Sequence, residues 1–279
     1  MTNKPYIEIV MKYDAIKEWL KAINSLVDET KICINKNGLY AKTVDTAHVA
    51  MVESYLDKSC FESFTPPKNK EYIGVDVEYL IKYIGTPIDT DIISMGINKD
   101  LTILSLNVDG VESEICLEEP DVYSDAKIPN LNLPVKASMS SEKVKRMVKE
   151  LEPITDHILF SAKEGEFQII GYSSKINKRC RLQLEKMQIV DKKTYTSMFP
   201  LDYMSNILRL VKTPWITLWM GQDYPVKIEF EQKYGVAKHT FILAPRVESE
   251  DGEPDTKIVS SFEPRKGRSE LQMKEEKDE

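Results

Sequence analysis

The feature that most constrains this chain is a repeat. Before residue 120 the apolar pattern spells a helix, a hairpin, further strands, a second helix and more strands. The same order recurs after residue 135. Gly38 and Gly165, at matching hairpins, lie 127 residues apart; Val77 and Leu201, which open matching helices, lie 124 apart. Solenoid repeats run roughly 20–50 residues, so the period points instead to one α+β domain present twice.

Four one-sided stripes of period 3.6 predict the helices. The first spans Tyr13 to Asp28, with Ile16, Leu20, Ile23 and Val27 inward. The second follows Asp76, a suitable N-cap, and groups Val77, Leu80, Ile81 and Ile84. The third opens at Ser140 or Ser141 with Val144, Met147, Val148 and Leu151 inward, and the fourth follows Pro200 with Leu201, Met204, Leu208 and Val211 inward. Each is short and apolar on one side, so each must lie on something else, most simply a sheet. Lys31–Ile34 turns at Asn37-Gly38 into Leu39–Ala41, and Ile158–Ser161 turns at Glu164-Gly165 into Glu166–Ile169, as hairpins. Further strands are expected at 48–55, 92–97, 101–107, 111–117, 179–185, 215–220, 225–231 and 237–243.

The repeat sets the boundaries: a first domain over 1–119, an exposed polar connector over 120–133, a second domain over 134–247, and a charged tail over 248–279 expected to be disordered. Net charge is −7, but the tail alone carries eleven acidic and six basic residues, so the body is nearly balanced at 34 against 32. Bulk charge therefore argues against nucleic acid unless cations gather on one face. Cys33, Cys60, Cys116 and Cys180 form no CxxC pair, which speaks against a zinc site or a disulfide framework and fits a reducing cytosol. No apolar run is long enough to span a membrane. Phosphate-loop, HExxH and GxSxG signatures are absent, and His48, His157 and His239 are isolated. No catalytic residue, metal ligand or cofactor is assigned.

Three stretches, in order along this duplicated domain, carry a resemblance. Gly38-Leu39-Tyr40-Ala41-Lys42-Thr43-Val44-Asp45-Thr46-Ala47-His48-Val49-Ala50 is similar to a hairpin, loop and strand of DNA sliding clamps of the proliferating cell nuclear antigen family. Gly74-Val75-Asp76-Val77-Glu78-Tyr79-Leu80 resembles the strand-to-helix entry of the same domain. Phe241-Ile242-Leu243-Ala244-Pro245-Arg246-Val247-Glu248 resembles the family's ending. The resemblance covers residues 5–248 and is archaeal in flavour; the tail departs from it.

That resemblance implies two similar clamp domains, each with two helices packed on antiparallel sheet, three such subunits closing a ring, and helices lining the hole. It implies a polymerase processivity factor that surrounds double-stranded DNA without reading sequence. Its partners would be copies of itself as a homotrimer, and a DNA polymerase, clamp loader, flap endonuclease and DNA ligase, docking through peptides. The cations placed off the apolar stripes fit an inner face: Lys17, Lys21, Lys82, Lys143, Lys145, Arg146, Lys149, Arg209 and Lys212. Diffuse attraction to phosphate suits sliding, although Glu18, Glu78, Glu142 and Glu150 oppose it. By the same resemblance the partner-peptide pocket comprises Val44, His48, Val49, Ile128, Pro129, Leu131, Leu133, Pro225, Ile242, Ala244 and Pro245. Ile128, Leu131 and Leu133 are apolar in an otherwise polar linker, which a groove for apolar anchors would explain.

The seam between subunits is expected to pair Val111–Leu117 with Lys178–Leu184. Alternation would put Ile115 and Leu117 beside Cys180, Leu182 and Leu184, and Glu112 and Glu114 beside Arg179 and Arg181, with Cys116 and Cys180 on opposite faces and unbridged. Two other readings stay open: a specialised paralogue acting as one member of a heteromeric ring, and a metal-dependent replication nuclease built on scattered carboxylates.

Overall fold

The structure is a computed structural model that describes residues 4–88, 91–123, 130–182, 184–232 and 237–246. The first half runs β1 (Ile7–Lys12), α1 (Tyr13–Asn24), β2 (Glu29–Asn35), β3 (Gly38–Val44), β4 (Ala50–Asp57), β5 (Phe61–Thr65), β6 (Glu71–Asp76), α2 (Val77–Tyr83), β7 (Ile92–Ile97), β8 (Ile103–Val108) and β9 (Val111–Cys116). The second runs β10 (Val135–Ser140), α3 (Ser141–Leu151), β11 (His157–Lys163), β12 (Glu166–Tyr172), β13 (Asn177–Leu182), β14 (Leu184–Ile189), β15 (Tyr195–Pro200), α4 (Leu201–Leu210), β16 (Trp215–Met220), β17 (Val226–Glu231) and β18 (Ala237–Leu243). The order is the same, and so is the pairing. Glu29 opposes Asp76 where His157 opposes Pro200, and Leu39 opposes Leu56 where Phe167 opposes Leu182. Each paired strand of one half thus has a counterpart whose residues are matched by register.

Among the described residues the strands form three antiparallel sheets of five, nine and four strands. The nine-stranded sheet, ordered β14-β10-β16-β17-β18-β4-β3-β2-β6, belongs to both halves. The joint is β18 against β4, paired from Leu243↔Ala50 to Ala237↔Leu56. Alternation along both strands sends Val52, Phe241 and Leu243 into one core. His239, on the same face, is 1 % exposed, and its Nδ1 lies 2.8 Å from Ser54 Oγ across the joint.

The helices cover these sheets because their inward stripes have nowhere else to go. Ile16, Trp19, Leu20 and Ile23 of α1 are buried in the first core; Val144, Met147, Val148 and Leu151 of α3 are buried in the second, around the close-packed rings of Phe160, Phe167 and Phe199. The four helices stand in one row, α2 beside α1, α1 against α4 across the joint, and α4 beside α3.

Three expectations are corrected. The first helix stops at Asn24, not Asp28: the Ser25 hydroxyl donates to the Ala22 carbonyl at 2.8 Å, Ser25 and Leu26 form a turn, and Val27 follows it, half-buried. The run Lys178–Leu184 is not one strand. β13 ends at Leu182, and Leu184 opens β14, which pairs with β10 in another sheet, so Leu184 does not share the face of Cys180 and Leu182. Leu117 lies just past β9, its N–H donating to the Thr102 carbonyl at 2.8 Å. Ile128 and Pro129 of the expected pocket, and the tail 248–279, lie outside the described residues.

Candidate functional site

Three surfaces emerge from this architecture. The first is the helix row. Lys21, Lys82, Lys143, Arg146, Lys149, Arg209 and Lys212 are exposed, while Lys17 and Lys145 are half-buried. The cations are not evenly effective. On α1, Asp14 and Glu18 offset Lys17 and Lys21, and Lys17 is turned back, its Nζ 2.6 Å from the Tyr13 hydroxyl. On α2, Lys82 pairs with Glu78 at 2.8 Å. On α4, Arg209 lies 3.7 Å from Glu152. The positive excess sits on α3, where Lys143, Lys145, Arg146 and Lys149 outnumber Glu142 and Glu150. Lys145 donates to the Val211 carbonyl at the end of α4, and burial, with Lys212 nearby, holds its ammonium below the usual lysine range. It ties α3 to α4 and offers solvent less than its neighbours do.

The second surface lies on the outer side of the nine-stranded sheet. The β4–β18 register brings Val49 and Ala244 to one end of the joint, where the Ala244 N–H donates to the Val49 carbonyl at 2.8 Å. Pro225 precedes the residue opposite Leu243, Val44 ends the strand beside β4, and His48 stands exposed in the intervening loop with φ of 56°. That loop is held by Asp45, buried at 6 % exposure, whose Oδ1 accepts from the N–H groups of Val49 and Ala50 at 2.8 Å each. A cavity of about 660 Å³ on this face is lined by Leu131, Leu133 and Ile242 of the expected set. Its floor, however, is Tyr40, Tyr55, Trp219, Lys227, Glu229 and Thr240, further along the sheet than His48 and Pro245. The Nζ atoms of Lys227 and Lys136 lie 3.8 and 4.9 Å from the Trp219 ring centroid. Trp219 carries no sequence signal beyond an outward strand position. The connector's start is fixed by Gly74, which exchanges backbone hydrogen bonds with Glu118; a Cβ at Gly74 would lie 2.6 Å from the Glu118 oxygen.

The third surface is a pair of open strand edges. β9 ends the five-stranded sheet and β13 ends the four-stranded one. By the repeat, β13 is the counterpart of β4 and β9 that of β18, the two strands that join the halves. Were a second copy to repeat the joint's register on these edges, Ile115 would lie opposite Ile176, Ser113 opposite Lys178, and Glu112 opposite Arg179. Arg181 is held by Glu166 of its own sheet at 2.7 Å, and Lys178 by Glu150 at 2.7 Å. Cys116 and Cys180 are free thiols. Sequence reasoning found these edges, but not the hook across the joint, where the Tyr203 hydroxyl donates to Asp45 Oδ2 at 2.6 Å. That bond and burial push the Tyr203 phenol up to about 12.

Among the described residues, no three His, Cys, Asp or Glu side chains are grouped to hold a metal ion, and no helix is long and apolar enough to cross a membrane.

Known proteins place this geometry. Residues 7–121 match the family described as proliferating cell nuclear antigen, N-terminal domain. Over 241 residues the chain is 30% identical to a DNA polymerase sliding clamp of Methanosarcina barkeri, an alignment covering 85% of this chain and 97% of that one. A clamp of the same description from Archaeoglobus fulgidus is 28% identical, covering 88% and 100%. Among solved structures, A. fulgidus PCNA bound to the C-terminal region of FEN-1 superposes with a TM-score of 0.79 at 28% identity, covering 88% of this chain and all of that one. The PCNA of Thermococcus kodakaraensis shares the fold with a TM-score of 0.78 at 20% identity.

Proposed function

This chain belongs to the proliferating cell nuclear antigen family of DNA polymerase sliding clamps, and from that premise we propose that it is a polymerase processivity factor that encircles duplex DNA as a homotrimer. It acts by binding and carries out no reaction, and the nuclease reading falls with family membership. Residues 1–119 and 134–247 act as two clamp domains, 120–133 as the connector between them, and the charged tail as an appendage the ring does not need. The protein works in the cytoplasm, at the nucleoid.

The observation that carries the ring is the joint itself. The chain pairs β18 with β4 internally and leaves their counterparts β9 and β13 as open edges. A contact repeated by the same rotation from copy to copy is head-to-tail and closes into a ring when the rotation divides a full turn. The helix row α2–α1–α4–α3 then continues from copy to copy around one inner wall. Lys149 and Lys143 on α3, with Lys21, Arg209 and Lys212 nearby on the row, give the wall a diffuse attraction for phosphate, with α3 as its most positive segment.

On the outer face, the end of the joint at Val44, His48, Val49, Pro225, Ala244 and Pro245, together with Leu131, Leu133 and Ile242, receives apolar anchors of partner peptides. The A. fulgidus clamp bound to a FEN-1 segment supports this. A polymerase, a clamp loader, a flap endonuclease and a DNA ligase are the expected holders of such peptides. The experiment is solution mass by light scattering of the purified chain. A homotrimer requires three times the 32.1 kDa subunit. A single-chain mass at micromolar concentration refutes it in favour of membership in a heteromeric ring.

A further inference from the structure

We propose that Tyr79 latches each subunit to the next, its hydroxyl donating to Ser173 of the next copy, as Tyr203 donates to Asp45 inside one chain. The inference rests on the ring proposed above.

The repeat fixes the correspondence at both ends. Tyr203 is the third residue after Pro200, which opposes His157; Tyr79 is the third after Asp76, which opposes Glu29, the counterpart of His157. Both tyrosines therefore occupy the same position on the same helix. At the other end, the Asp45 N–H donates to the Ala50 carbonyl and the Asp45 carboxylate caps the loop before β4. The Ser173 N–H donates to the Ile176 carbonyl, and the Ser173 hydroxyl accepts from the Ile176 N–H at 3.3 Å before β13. Asp45 and Ser173 start equivalent loops, the second two residues shorter. Inside the chain the two partners meet at 2.6 Å. A seam built on the joint's geometry brings Tyr79 to Ser173.

A second observation agrees. Tyr79 is 45% exposed and packs at a tilt against Tyr83, 54% exposed, with ring centroids 4.1 Å apart. The counterpart of Tyr83 is Ile207, which the joint helps to bury completely. Val111 and Ile176, at 68% and 50%, are exposed on the two open edges. Four of the large apolar side chains left uncovered thus gather where the repeat puts the next copy. The aromatic pair belongs to the seam and is not a platform for DNA bases.

The latch differs from its internal model in one respect: Ser173 offers a neutral acceptor where Asp45 offers a charged one. Charge-assisted hydrogen bonds are shorter and roughly twice as strong. The test is the ring's dissociation constant, measured by mass photometry and sedimentation on the full chain. Tyr79→Phe and Ser173→Ala each raise it, by roughly fivefold per seam, and together do no more than either alone. Ser173→Asp lowers it, and the gain disappears when Tyr79→Phe is added. Additive effects, or a Ser173→Asp gain that survives Tyr79→Phe, overturn the latch. So does a Tyr79→Phe variant whose ring is unchanged while its retention on DNA falls. A wild-type trimer indifferent to all these changes refutes the latch alone; a wild-type chain that never trimerises refutes the ring and the latch together. Thermal melts of each variant as isolated monomer confirm that the fold is intact, since the substituted atoms are exposed or make only local bonds.

Discussion

His239 shows how one residue ties the two halves to pH. It sits at the middle of the β4–β18 joint, hydrogen-bonded to Ser54, with the Phe230 ring 5.1 Å away. Burial lowers its imidazole from 6.5 to about 4. The unfolded chain takes up a proton near pH 6.5 and the folded one near pH 4, so between those values the unfolded state binds more protons. Stability therefore declines as pH falls through that window and levels off below it, by a total on the order of 3 kcal/mol. Urea midpoints of the wild type should fall from pH 7 to pH 4, and His239→Gln should flatten that part of the profile. A parallel decline in both would show that other groups set the acid sensitivity. Nothing in the sequence marked His239 as different from His48, since both fall in polar-looking runs. Burial of His239 follows from its parity with Phe241 and Leu243 once β18 is internal to a sheet. Likewise Asp45 was legible as part of a motif, but its bond to Tyr203 bridges 158 positions and leaves no local trace.

At the scale of elements, alternation and helical stripes revealed most of the architecture because most elements bury one face only. They failed where that condition fails. β15 buries Ser197, Met198 and Phe199 in succession, so it shows no period of two. In the sequence Cys180, Leu182 and Leu184 alternate with polar residues straight across the change of sheet, so nothing there marks where β13 ends and β14 begins. Of the two edge strands, β9 was legible almost to its end, whereas β13 stops two residues short of the expected run, and their charges permit a direct test. The carried-over register would set Glu112 against Arg179, and Glu114 against Asn177 and not Arg181. Arg179→Glu should therefore dissociate the ring at micromolar concentration, Arg181→Glu should do so far less, and Arg179→Glu with Glu112→Arg should restore at least part of it. Analytical ultracentrifugation distinguishes these outcomes. Equal effects of the two single reversals would mean the seam has a different register. The exposed ion pairs themselves contribute only about 0–1 kcal/mol each. The reversal acts mainly by placing like charges together, with the backbone ladder supplying most of the affinity.

Across the whole molecule, the joint and the proposed seam are two versions of one contact with different chemistry. Val52 in the joint corresponds to Lys178, Phe241 to Ser113, and Ala22, fully buried, to Glu150. The internal version is apolar and the external one carries charge, so salt screens the second and spares the first. The sequence contained both lists of residues, but the comparison requires the register, which only the paired strands provide.

The shared nine-stranded sheet has a consequence for how the polypeptide must be connected. With seven residues on each side paired along β4 and β18, and each apolar core reaching across through Ala22, Ala50 and Val52 or through Ala237, the peptide link through the connector mainly raises the local concentration of one half around the other. A gene split inside the connector, so that the halves are translated as two separate polypeptides, should still yield a complete subunit when both are made together. Native mass spectrometry would then find the two fragments bound in equal number, six pieces to a ring. Co-expressed halves that fail to associate would show that the covalent tie contributes more than the sheet.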